Sequence, residues 1–179
     1  MDREAIGRTF MPAAQAALKS FPIEPGELTL VSLAENVTFK VTDREGSAYV
    51  LRLHRPGYHT LDELVSERAW IRSLVDAGID VPAAVSARDG RDYVPVTIPA
   101  TGEQRFAGML RWTQGRLLSH VLAETSDDQV IEDYFAQLGA LTAAMHIQAS
   151  AWQPPPGFTR HALDSDGLMG DAPHWGPFW

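Results

Sequence analysis

The sequence contains no cysteine, and this absence excludes disulfide bonds, thiolate metal sites and a cysteine nucleophile. Basic residues are also few, with 15 lysines and arginines against 23 aspartates and glutamates and a net charge of -8. No basic patch stands out, so we expect no nucleic-acid partner. No apolar run approaches the roughly 20 residues of a membrane span, and the N-terminus lacks the apolar core of a signal peptide. We therefore expect a soluble, cytoplasmic protein without a membrane partner.

Apolar residues follow both strand and helix patterns along the 179 residues. They make up 45% of the chain and charged residues 21%, as in a folded globular protein. Alternation and turn-forming residues predict five strands, over residues 28–31, 37–41, 48–54, 93–98 and 105–112. Helical spacing predicts three helices, over residues 12–21, over 60–76 after the third strand, and over 126–149. This order of elements predicts an α+β protein.

Two of the predicted helices carry signals that mark their ends or their buried side. Thr60 and Glu63 form a capping-box pattern, and Gly78 stands where a helix C-cap belongs. Ser126 is the predicted N-cap of the long helix. The side of that helix that we expect to be buried holds Val130, Ile131, Tyr134, Phe135, Leu138, Leu141, Thr142 and Met145.

Two charges occupy positions where apolar residues are expected. Arg52 lies in the middle of the predicted third strand, and Glu67 shares the helical face of Leu64, Ile71 and Leu74. An unpaired charge on a core-facing surface is costly to desolvate, but these two can neutralise each other and leave the guanidinium facing an anion such as a phosphate. Glu63 is the competing partner for Arg52, whereas Arg68 is expected to face solvent. The alternatives are a solvent-facing arginine on an edge strand and a solvated helix face.

Local motifs and the order of elements resemble the aminoglycoside phosphotransferase and choline kinase superfamily, in the bacterial branch of type II homoserine kinases and the stress-response kinase. These motifs are residues 35–41, 49–56, 63–74, 167–170 and 174–176. The resemblance implies a protein-kinase-like N-terminal lobe, a five-stranded antiparallel sheet with one inserted helix, followed by the helical beginning of an incomplete C-terminal lobe. The implied parts are an N-terminal helical segment (1–24), the nucleotide-binding lobe (25–113), and a connector with a partial helical lobe (114–179).

The same resemblance implies a phosphotransferase that uses ATP and Mg²⁺ and transfers the γ-phosphate to a hydroxyl group of a small molecule. Arg52 matches the strand cation that contacts the α- and β-phosphates, and Glu67 matches the carboxylate that orients it. The implied phosphate-covering turn includes Ser32 and Asn36, although an ordinary hairpin turn remains open. The implied adenine connector, which could instead be a plain core strand, consists of Leu110, Arg111, Trp112 and Thr113.

The family's catalytic His-Gly-Asp and its later metal-binding aspartate do not occur before Trp179. The acidic pair Asp164 and Asp166 and the Gly170-Asp171 step come in the reverse order. We therefore expect the catalytic residues and the Mg²⁺ ligands to lie outside this chain, which would be a truncated form of a chain nearly twice as long and inactive alone. The six histidines show no spacing typical of a zinc site, so no metal ligand is predicted.

The resemblance leaves the identity of the phosphate acceptor open. Homoserine, an amino alcohol, an aminoglycoside or a protein hydroxyl group all remain open. The aromatic ending, residues 175–179, predicts self-association or packing against more protein. The alternative function is a non-catalytic binding or regulatory module that retains the N-terminal lobe as an interaction surface.

Overall fold

A computed structural model describes the backbone of residues 3–176 and the side chains of residues 7–176. The described strands are β1 (Pro25–Leu33), β2 (Val37–Asp43), β3 (Ala48–Leu53), β4 (Ala84–Val85), β5 (Tyr93–Thr97) and β6 (Gln104–Arg111). The described helices are α1 (Arg3–Leu18), α2 (Leu61–Asp76), α3 (Leu118–Ala123), α4 (Asp128–Ala151) and α5 (Ser165–Met169). The strands form one antiparallel sheet in the order β1-β2-β3-β6-β4, and β5 also pairs with β6.

The predicted α+β class and the helix inserted after the third strand are confirmed. The five predicted strands correspond to β1, β2, β3, β5 and β6. The sixth strand, β4, has only two residues, which is too short to show an alternating pattern in the sequence. The short helices α3 and α5 were not predicted either, because neither is long enough to display a helical period.

One face of the sheet builds the core with α1. Directly opposed residues of paired strands share a face, and four of them form a buried row across the sheet: Leu30, Phe39, Leu51 and Met109. The apolar face of α1 belongs to the same core, through Phe10, Ala13, Ala14, Ala17 and Leu18. The predicted bounds of this helix, 12–21, were wrong, because Pro12 lies inside α1 and does not begin it.

The opposite face of the sheet carries Arg52. Successive side chains of a strand alternate between faces, so the residues on either side of Leu51 lie away from the core. A second row across the sheet therefore consists of Thr38, Arg52, Gly108 and Tyr93. This row brings the strand cation to the face where α2 contributes side chains.

The predicted capping box at the start of α2 is confirmed. The Glu63 amide donates to Thr60 Oγ1 at 3.2 Å, and the Thr60 amide donates to Glu63 Oε2 at 2.8 Å. Two amides that would otherwise lack partners are thereby satisfied at the helix start. At the other end Gly78 has φ of 76°, the left-handed conformation that follows many helices. These signals fix the position of α2 and hence of Glu67.

Helix α4 differs from its prediction in two ways. Its N-cap is Asp127, whose side chain accepts from the Gln129 amide at 3.0 Å, so the assignment of Ser126 was wrong. The expectation of a buried apolar side was also wrong, since α4 has no buried residue within the described part of the chain. Several large apolar side chains of the helix are exposed, namely Val130, Phe135, Leu138 and Leu141. The described elements do not pack over that side.

Among the described residues, no helix combines the length and the apolar character that a membrane span requires. The predicted self-association through the aromatic ending falls partly on residues 177–179, which lie outside the described residues. Of that ending, Trp175 is 57% exposed, and its Nε1 donates to the Tyr58 hydroxyl at 2.8 Å.

Candidate functional site

Arg52 and Glu67 line the same narrow cavity, on the sheet face away from the core. Both side chains are partly buried. The strands β3, β5 and β6 form one side of the cavity and α2 forms the other. Its complete lining is Val50, Arg52, His54, Glu67, Arg68, Tyr93, Gly108 and Leu110. Three residues of the predicted site, Arg52, Glu67 and Leu110, are thus brought together from three different elements.

The predicted ion pair between Arg52 and Glu67 is not formed in this structure. Glu67 Oε2 instead lies 3.7 Å from the guanidinium of Arg160. The competing carboxylate, Glu63, pairs with two histidines, and no ion pair links either carboxylate to Arg52 among the described side chains. Arg160 lies 93 positions after Glu67, so no local sequence pattern could reveal this partner. An electrostatic link from Glu67 to a cation exists, but it runs to the segment after α4.

Arg68 is a second cation of the cavity, and the expectation that it faces solvent was wrong. Only 3% of Arg68 is exposed, and its guanidinium lies 4.9 Å from the centre of the Tyr93 ring. A Cβ atom at position 108 would lie 2.8 Å from Arg68 and 2.5 Å from the Tyr93 ring, so this arrangement requires Gly108. The sequence contains a signal for this position: Arg68 comes four residues after Leu64, so both side chains lie on the same, inward face of α2.

The cavity contains buried hydrogen-bond donors without partners. Arg68 NH1 and the Tyr93 hydroxyl have no hydrogen-bond partner. Burial raises the pKa of Tyr93 to about 12, so its phenol remains protonated and able to donate at neutral pH. Unsatisfied buried donors are costly, and because the cavity volume is about 10 Å³ they are suited to one small acceptor, such as a water molecule or a single oxygen of an anion.

The remaining ionisable group of the cavity, His54, is neutral at physiological pH. It is 7% exposed and lies edge-on to Tyr93, with ring centroids 5.3 Å apart. Burial and, to a smaller extent, the charges of Arg52 and Arg68 together lower its pKa from 6.5 to about 3. Two arginines and one glutamate therefore set the charge of the lining, which is positive.

The predicted connector leaves the sheet beside this cavity. Leu110 lines the cavity, and Trp112 holds Lys40 Nζ 4.8 Å from its ring centre. The Arg111 and Trp112 amides already donate within the sheet, to Ala83 and Ala48 carbonyls at 2.9 Å each. The Arg111 guanidinium lies over the Tyr49 ring, on the opposite face of the sheet. Thr113 is exposed and lies beyond these sheet bonds.

The turn between β1 and β2 is a short hairpin turn. Ser32 is exposed and pairs with Thr38, and the turn itself consists of residues 34–36. The Asn36 side-chain oxygen accepts from the Arg55 amide at 3.0 Å, and Arg55 pairs with Glu35 at 2.6 Å. Asn36 thus ties the turn to the end of β3. Its amide oxygen has a structural partner, while the role of Ser32 and Asn36 beside a phosphate stays a prediction.

Comparison with known proteins gives concordant matches. The model of the phosphotransferase enzyme family matches residues 27–174. The structure of a microcompartment-associated aminopropanol kinase is similar at 35% identity and a TM-score of 0.73, over 93% of this chain and 49% of that one. An amicoumacin kinase, solved with AMP-PNP, Ca²⁺ and Ami, is similar at 26% identity and a TM-score of 0.70, over 94% and 49%. The chain thus spans about half the length of both structures. No curated protein matches the sequence.

Proposed function

Because the chain belongs to the phosphotransferase enzyme family, we propose that it supplies the nucleotide-binding part of an ATP-dependent kinase. In that kinase the γ-phosphorus would form a bond to a substrate hydroxyl oxygen and break its bond to the bridging oxygen, releasing ADP and the hydroxyl proton. The chain carries kinase-like structure, and one similar kinase was solved with AMP-PNP and Ca²⁺. We expect the groups that complete the transfer to lie outside this chain.

One observation carries the proposal: Arg52 lies in a positively charged cavity whose buried donors lack acceptors. Arg52 would bind oxygens of the α- and β-phosphates, since a guanidinium forms paired, charge-assisted hydrogen bonds with them. Glu67 would hold Arg52 in position once a nucleotide is bound. That role requires the carboxylate to move from Arg160 to Arg52, with which it lines the same cavity.

The sheet face next to Arg52 suits an adenine ring. Val50 and Leu110 are paired across β3 and β6, and Trp112 follows on the same face, so an apolar surface adjoins the cations. We assign the polar edge of adenine to main-chain groups near Thr113, because the amides of Arg111 and Trp112 are already used in the sheet. The described side chains gather no carboxylate cluster on this face, and we place the Mg²⁺ ligands outside the chain.

The acceptor is proposed to be a small molecule that carries a hydroxyl group. Similarity at 35% identity to an aminopropanol kinase favours an amino alcohol among the acceptors considered. Selectivity for the acceptor would arise in the part of the kinase that these residues do not include, since the Arg52 cavity and the adjoining sheet face are both assigned to the nucleotide.

Replacing Arg52 by alanine is expected to weaken binding of Mg²⁺–AMP-PNP by about 10- to 100-fold, because a charge-assisted hydrogen bond contributes about 1.5–3 kcal/mol. The measurement is isothermal titration calorimetry of the 179-residue chain, with the nucleotide-dependent rise in melting temperature as a second readout. An Arg52→Lys variant should recover part of the affinity, since an ammonium keeps the charge but loses the paired geometry.

The matched control is Arg44→Ala, which removes an exposed arginine from the turn between β2 and β3 and should leave the affinity unchanged. Equal affinities in the parent, Arg52→Ala and Arg44→Ala chains would contradict the assignment of Arg52. Failure of the parent chain to bind millimolar nucleotide would favour the non-catalytic module.

A further inference from the structure

Three histidines from distant parts of the sequence meet beside the start of α2. His59 precedes α2, His161 follows α4, and His174 follows α5. One potential ligand atom from each lies within 4.8 Å of the other two. The His161 and His174 rings are stacked with centroids 3.3 Å apart, and His59 lies 5.5 and 5.8 Å from them. No local sequence pattern indicates this group, because its members are separated by 102 and 13 positions.

Two of the imidazole nitrogens in this histidine cluster are buried and have no hydrogen-bond partner, although one of them, on His59, lies 3.8 Å from Glu63 Oε2. They are His59 Nδ1 and His174 Nε2. A buried imidazole nitrogen normally has a hydrogen-bond partner or a metal, so two orphans in one cluster call for a ligand. All three histidines are partly shielded from solvent. These nitrogens point to a cation that binds neutral imidazole.

Glu63 supplies the supporting group that a histidine metal site needs. Its Oε1 lies 3.4 Å from His161 Nδ1, while its Oε2 is held at 2.8 Å by the Thr60 amide in the capping box. Metal-bound histidines commonly donate their second nitrogen to a carboxylate, which fixes the ring orientation. Glu63 is therefore placed to orient His161 and leave its Nε2 available to a metal.

We propose that His59, His161 and His174 bind a divalent transition-metal ion of the zinc class, with a water molecule as the fourth ligand. Imidazole ligands favour zinc, nickel or cobalt over magnesium and calcium, which prefer oxygen. Nitrogens bound to tetrahedral zinc lie about 3.4 Å apart, so closing the site needs side-chain movements of about 1–1.5 Å.

The proposed metal would cross-link the start of α2 to the segment after α4. Arg160, which pairs with Glu67, is the residue next to His161 in the chain. A metal at the histidine cluster would therefore fix the position of Arg160, the ion-pair partner of Glu67. The metal proposal does not depend on the nucleotide proposal. The role of the metal is structural, because the three histidines meet only in the folded chain and metal binding therefore stabilises the folded state.

The test is calorimetric titration of the metal-free 179-residue chain with Zn²⁺. We expect one ion per chain, a rise in melting temperature with Zn²⁺ but not with Mg²⁺, and an affinity at least about 10-fold weaker in His174→Ala, since even loss of a supporting group costs 10- to 100-fold. His146→Ala, which removes an exposed histidine of α4, is the matched control and should bind like the parent.

A second readout covers a variant that folds poorly. Bound Co²⁺ should give the visible absorption of a four-coordinate nitrogen site in the parent chain and in His146→Ala, and lose it in both His174→Ala and His161→Ala. No stoichiometric Zn²⁺ binding by the parent would overturn the proposal. Equal Zn²⁺ affinity in His174→Ala and His146→Ala would overturn it too, because the ion would then bind elsewhere.

Discussion

Replacing Phe39 by alanine is expected to lower the free energy of unfolding by about 3–5 kcal/mol, the usual cost of removing a fully buried aromatic ring. Phe39 is completely buried and stands between Leu30 and Leu51 in the row that crosses the sheet. Small domains are stable by only about 5–15 kcal/mol, so this loss would leave a marginal protein. The measurement is urea unfolding, monitored by circular dichroism. The slope of the unfolding free energy against urea concentration should stay the same as in the parent.

Two control variants test whether the loss comes from the buried row. Phe39→Leu retains most of the volume and should cost clearly less than the alanine variant. Leu117→Ala removes a side chain that is 66% exposed and should change the stability by less than about 0.5 kcal/mol. A loss in Phe39→Ala no larger than in Leu117→Ala would show that the core does not lie where the register places it.

His54 is expected to make the protein less stable as the pH falls from about 6.5 towards 3. Burial, reinforced by Arg52 and Arg68, lowers the pKa of His54 from 6.5 in the unfolded chain to about 3 in the folded protein. Between these values the unfolded chain holds a proton that the folded protein does not, so acid favours unfolding. The stabilisation is complete above pH 6.5, and about 4–5 kcal/mol would be lost at full protonation.

The comparison that isolates His54 uses a His54→Leu variant, which cannot titrate. Chemical unfolding of both proteins between pH 7 and 4.5 should show a fall that is about 2–3 kcal/mol larger in the parent. Burial also lowers the pKa of His59, but that group is common to both proteins and cancels in the difference. Parallel pH profiles would show that His54 is hydrated in the folded state.

Much of the sheet and of α2 could be predicted, because their signals are local. Alternating burial in β2 and β3 gives the period of two, and the capping box marks the start of α2 within a span of four residues. Helix α1 was placed too late because Pro12 is usually a helix start. The apolar side of α4 was correctly recognised as apolar, but burial depends on which segment packs over it, and a helical period does not contain that information.

The candidate site was predictable only in part, for the same reason. Arg52 and Glu67 could be singled out by their positions on a strand and on a helix stripe, and the fold brings both to one cavity. The ion-pair partner of Glu67, Arg160, comes from a distant segment, so this pair is determined by tertiary packing and not by local sequence. Arg68 was assigned to the wrong side of α2 because residues three and four positions after Leu64 both lie near its face of the helix. The prediction placed only the first of them, Glu67, on that face.

Hydrogen–deuterium exchange with and without saturating Mg²⁺–AMP-PNP tests most directly whether the Arg52 cavity binds a nucleotide. We predict slower exchange in peptides that contain residues 32–37 and 110–113, with the strongest change near Thr113, since the Arg111 and Trp112 amides are already bonded. The exposed helix α4 should exchange at the same rate in both conditions. Unchanged exchange around the cavity at saturation, or protection confined to α4, would contradict the account.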